Sequence, residues 1–131
     1  MDNSIDVDLV VELKQQDSLS KNIVIEGGNT YSDYWSYGKF VKFIYNGNAR
    51  SLNSEIKTFN DHIKSQLEHK GYSEIGATGS PISDYPGHLS MIDRRYHGDR
   101  KSIRVMIVVT HVSSDKYRVH IDLTQRSDQE G

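Results

Sequence analysis

Residues 103–125, IRVMIVVTHVSSDKYRVHIDLTQ, decide the fold. Ile103, Val105, Ile107 and Val109 alternate with other residues, and so do Tyr117, Val119, Ile121 and Leu123. Period-two alternation of β-branched and aromatic residues on both sides of Ser113-Ser114-Asp115 is the pattern of a β-hairpin. Side chains on neighbouring antiparallel strands share a face only when directly opposed, so odd positions must face odd positions. That predicts an odd loop, Ser114–Lys116 or Val112–Lys116; a plain two-residue turn would send one apolar set into solvent. The opposite face of the first arm carries Met106, Val108 and Val112, apolar for a wet surface and candidates for a homodimer face.

Working outward, His88–Tyr96 reads as a strand leading through His97-Gly98-Asp99 into the hairpin. Residues 76–87 contain both prolines together with Gly76, Gly79 and Gly87, and are expected to form the longest loop. Leu52, Ile56, Phe59, Ile63 and Leu67 make one apolar stripe at helical spacing, predicting a helix over about 52–70. Ser51 or Ser54 is the expected N-cap, and Gly71 the residue just past the end. Tyr72 and Ile75 begin a further strand. Residues 30–47 carry both helical and strand patterns; Gly38 and the β-branched and aromatic content favour a strand at 39–45. Ile23-Val24-Ile25 is a short strand stopped by Gly27-Gly28. Ile5 to Leu13 alternates with Asp6, Asp8 and Glu12 as a half-buried strand. The expected fold is therefore α+β in a single domain, 1–131. It is a mostly antiparallel sheet of five to six strands with one main helix on one face, and residues 126–131 form a disordered tail.

The chain has 131 residues, no cysteine and a net charge of −2. Disulfides and thiolate metal sites are excluded, and there is no global attraction to nucleic acid or an anionic membrane. The acidic start is unlike a signal peptide and no apolar run reaches a bilayer-spanning length, so a cytoplasmic protein is expected.

Two clusters could carry function. Asp93, Arg94, Arg95, Tyr96, His97, Asp99, Arg100, Lys101 and Arg104 form a locally basic strip. Arginines there could hold an anion, with His97 as proton donor and Asp93 or Asp99 orienting it, the minimum for a small hydrolase or lyase. Tyr96 stacking on a base would be the nucleic-acid version, weakly supported without a broader basic face. Tyr31, Tyr34, Trp35 and Tyr37 lead an aromatic stretch suited to recognition. No zinc motif, phosphate loop or nucleophile elbow is present among the motifs sought, so neither metal nor cofactor is expected. His120 and Asp122 are expected to be neighbours on the face away from the core, and His62 and His69 to face solvent. The reading these features favour is a non-catalytic protein that binds another protein or a second copy of itself in an accessory, inhibitor or immunity-like role. A small anionic ligand is the runner-up.

Overall fold

The computed structural model describes residues 23–30, 34–80, 82 and 87–128. Its elements run β1 (Ile23–Thr30), β2 (Tyr34–Asn46), α1 (Ala49–His69), β3 (Ser73–Gly79), β4 (Leu89–Gly98), β5 (Lys101–Ser113) and β6 (Lys116–Asp128). The six strands form one antiparallel sheet in the order β1-β2-β6-β5-β4-β3, with α1 laid across one face. This is the expected α+β fold. The expected strand at 5–13 and Tyr31 lie outside the described residues.

The parity argument for the central hairpin holds, by a route the expected loop did not include. Val105 faces Leu123, Ile107 faces Ile121, Val109 faces Val119 and His111 faces Tyr117, odd against odd. Yet Ser113 faces Lys116 across a two-residue turn, Ser114-Asp115. A register shift between His111 and Ser113 absorbs the difference: Val112 is the extra residue of a bulge. Asp115 takes φ 56°, a left-handed conformation that aspartate tolerates.

The sheet face under α1 is built in rows. Val41, Ile121, Ile107 and Ile92 make one; Phe43, Val119, Val109 and Ser90 make the next. Leu52, Ile56, Phe59, Ile63 and Leu67 of α1 close over them as one buried core. The ambiguous stretch is strand throughout, from Tyr34 to Asn46, because alternate residues Val41, Phe43 and Tyr45 all enter that core.

α1 begins three residues before the earliest start expected. Asn48, not Ser51 or Ser54, is the N-cap, its side-chain oxygen accepting the Ser51 N–H at 2.8 Å. Ala49 is buried against the core, so the helix gains by starting there. At the other end Tyr72 N–H donates to Leu67 O and Gly71 N–H to Glu68 O, with Gly71 at φ +91°. That is a Schellman ending, which requires the left-handed residue that glycine supplies.

Three further strand boundaries differ from expectation. β1 is not stopped by Gly27-Gly28 but runs through both to Thr30, because they pair with Gly38 and Tyr37 of β2. β3 continues through Gly79, so 76–79 is strand and not loop: Ala77 and Thr78 pair with Arg94 and Asp93 of the next strand. β6 continues to Asp128, so 126–128 is also strand, held by Arg126 opposite Ser102 and by Asp128 N–H donating to Arg100 O at 2.9 Å. Ile82 is buried and tied to α1 through Asn53, whose Oδ1 accepts the Ile82 N–H at 3.1 Å.

Candidate binding surfaces

Alternation gives the sheet a second face, which α1 leaves uncovered. Its rows follow from register: Met91, Val108, His120 and Lys42; then Asp93, Met106, Asp122 and Phe40; then Arg95, Arg104, Thr124 and Gly38. Leu89 and Met91 are 54% and 46% exposed, and Val108, Met106, Phe40 and Ile44 are half-buried beside them. Charges near this apolar strip are paired among themselves. Arg104 donates to both oxygens of Asp93, Nε to Oδ1 at 3.0 Å and Nη2 to Oδ2 at 2.8 Å. Arg95 Nη2 reaches the same Oδ2 at 3.4 Å. The Arg104 hydrogen bonds hold the Asp93 carboxyl below the ordinary carboxylate value, against the opposing effect of its burial. Asp93 in turn raises the Arg104 guanidinium. His120 Nε2 and Asp122 Oδ1 lie 3.2 Å apart, as the shared-face reading expected, and the Phe40 ring sits 5.3 Å from the His120 ring and under Lys42 Nζ.

Strand alternation divides the basic strip of 93–104. Arg95 and Arg104 are on the open face; Arg94 and Tyr96 are on the helix side. Tyr96 is 1% exposed, a core residue with no face left for a base to stack on. Burial pushes its hydroxyl up to about 12, with Glu74 adding to the effect. Arg100 sits in the Asp99-Arg100 turn at φ 60°. His97 is exposed opposite Ser102 and Ser73, about 13 Å along the strand from Asp93 at the usual rise. The acid–base grouping of His97 with Asp93 is thus not assembled: Asp93 is committed to two arginines, and His97 does not line the groove described below. No three His, Asp or Glu side chains converge as a metal site among the described residues.

The aromatic stretch divides in the same way. Tyr37 packs partly buried against the core, Phe43 and Tyr45 are inside it, and Phe40 lies on the open face. Tyr34 and Trp35 stand in β2 opposite Asp128 and Ser127. Of the candidate dimer face, Met106 and Val108 stay together on the open face, whereas Val112 is displaced into the bulge and is 43% exposed.

Sequence reasoning missed a groove of about 350 Å³ between α1 and strands β3 and β4. Lys57, Asn60, Asp61 and Lys64 line it from the helix, and Glu74, Ile92 and Arg94 from the sheet. Arg94 Nη1 donates to the Thr78 carbonyl at 3.2 Å. Asn60 is 8% exposed. Its signal was legible: an asparagine lies on the buried helical stripe, four residues after Ile56 and three before Ile63.

No helix among the described residues is long and apolar enough to cross a membrane. Comparison with protein-family models, curated proteins and solved structures gives no match.

Proposed function

We propose that this chain is a non-catalytic binding protein that offers the helix-free face of its sheet to another protein surface, a second copy being the first partner to test. One observation carries the reading. Leu89 and Met91 remain about half exposed next to Val108 and Met106, an apolar strip on the face of the sheet opposite α1. Mixed apolar and hydrogen-bonded charged residues are what non-obligate interfaces contain. The pairing of Asp93 with Arg104 and Arg95, and of His120 with Asp122, also lets the face meet its own copy without strong repulsion.

Light scattering on the eluting chain over a range of concentrations tests the second copy. A dimer that becomes monomeric in Met91→Glu, with melting temperature unchanged, supports it; a monomer throughout removes the self-partner. Crosslinking in extracts of the native host then tests the face itself. If wild type and a Met91→Glu/Val108→Lys variant capture the same proteins, the open face is not the contact surface.

A further inference from the structure

We propose that the outer edge of β3, with the groove beside it, is a docking site for an extended acidic segment of a partner protein, added to the sheet as a further strand. This site is separate from the open face and stands whether or not that face binds.

Four observations converge on it. Among the described residues β3 ends the strand order, and every residue from Ser73 to Gly79 except Gly76 is exposed. Ser80 N–H donates to Met91 O, and the alternation of an antiparallel ladder then turns the N–H and C=O of Ala77 and Gly79 outward. An edge is normally guarded by lysine, proline or a bulge; here the bulge falls between Glu74 and Gly76, which leaves the small-residue run Gly76-Ala77-Thr78-Gly79 open to an incoming backbone. An added strand would send alternate side chains to the helix side, where the groove lies.

The groove has an unused polar group. Asn60 is more than nine-tenths buried and lines the groove, yet its side chain makes no hydrogen bond among the described residues. The Asn60 amide is not among the enclosed polar atoms left without a partner, so it reaches the groove and can bond directly to an arriving side chain. The charge of the lining selects which side chain. Lys57, Lys64 and Arg94 stand against Asp61 and Glu74. Glu74 is near enough to Tyr96 to add to the rise of its hydroxyl, and Arg94 donates to the carbonyls of Thr78 and Asp93. A carboxylate entering between Lys57 and Lys64 would accept from the Asn60 amide and be held by the lysines. A lysine or arginine entering there would meet three cations against the two carboxylates of Asp61 and Glu74.

The test uses two fluorescein-labelled peptides of about eight residues, alternating glutamate with threonine and lysine with threonine. The glutamate peptide should bind below about 1 mM and at least about tenfold tighter than its lysine counterpart. Its affinity should fall about tenfold in Lys57→Glu/Lys64→Glu, and also in Ala77→Pro, which removes an outward N–H. Amide resonances of Ala77 and Gly79 and the side-chain amide of Asn60 should shift on titration, with Leu89 and Met91 unmoved. Melting curves of both variants confirm that they fold. Absence of saturable binding, equal binding of the two peptides, affinity unchanged in both folded variants, or shifts confined to the open face would overturn the proposal.

Discussion

Arg104 holds Asp93 with two hydrogen bonds, reaching diagonally from β5 to β4 on the open face. The Asp93 side chain is 11% exposed and that of Arg104 45%, so the carboxylate is the partner that depends on the contact. Arg104→Met leaves Asp93 nearly buried with only the longer bond to Arg95. The expected cost is about 1–2 kcal/mol at neutral pH, toward the low end because the guanidinium is half in water. Urea unfolding of the variant measures it. No loss would show that water replaces the guanidinium freely.

The same pair sets an acid limit. Asp93 has a folded pKa below its unfolded one, so its stabilising contribution is complete above the unfolded value of about 4. It is lost as pH falls through the folded pKa. Wild-type stability should therefore drop below about pH 4, and the gap between wild type and Arg104→Met should narrow over that window. A gap constant with pH would assign the cost to lost packing of the arginine stem.

At the alkaline side the core tyrosines act in the opposite sense. Burial raises the Tyr45 hydroxyl to about 12; its hydrogen bond with Ser51 opposes this, and the neighbouring Glu55 adds to it. Tyr96 is raised to about the same value. A raised folded pKa leaves stability intact below the unfolded value of 10.0 and removes it as pH climbs from there toward about 12. Tyrosinate absorbance should report Tyr45 and Tyr96 among the late-titrating groups, their ionisation coinciding with loss of circular dichroism. Phenylalanine at position 96 should abolish one of them.

Gly98 and Tyr72 make a close contact across the sheet edge. A Cβ at Gly98 would sit 3.0 Å from two ring carbons of Tyr72, which is 5% exposed. Gly98→Ala should cost about 1–3 kcal/mol through overpacking, and the penalty should largely vanish in a Tyr72→Ala background. Gly71→Ala is the comparison. Nothing lies within 4 Å of its Cβ, so its expected cost of about 1 kcal/mol comes from φ +91° alone and should persist in that background.

How much of this could be read from the chain differs by element. The odd-to-odd facing of Ile107 and Ile121 followed from alternation, because a one-residue slip would have emptied the core. The Val112 bulge did not follow, since parity is equally met by a longer loop and only Asp115 turning left-handed selects the bulge. Gly71 was legible as a helix end because it alone there tolerates positive φ. The Asn48 cap was not, with three candidate caps within seven residues and the choice made by burial of Ala49. The Asp93–Arg104 pair depends on a register set by the tight Asp99-Arg100 turn. Asn60 was legible as a polar residue on the apolar helical stripe, but the groove it lines was not, because that depends on where α1 crosses the edge strands.

His111 offers the sharpest test of the core. It is 6% exposed, stacks on Tyr117 with ring centroids 4.6 Å apart and 18° between planes, and leaves both ring nitrogens without a hydrogen-bond partner among the described residues. Its backbone is tied to the start of β4, accepting from Gly87 N–H and donating to His88 O. Those bonds survive any side-chain change. His111→Phe keeps the stack and removes two buried polar atoms, so it should stabilise the fold by about 1 kcal/mol, a rise of a few degrees in melting temperature. His111→Ala should instead destabilise, because it leaves a cavity beside Tyr117. If phenylalanine destabilises as much as alanine, the nitrogens have partners in solution, and a bound water under the hairpin is the first place to look.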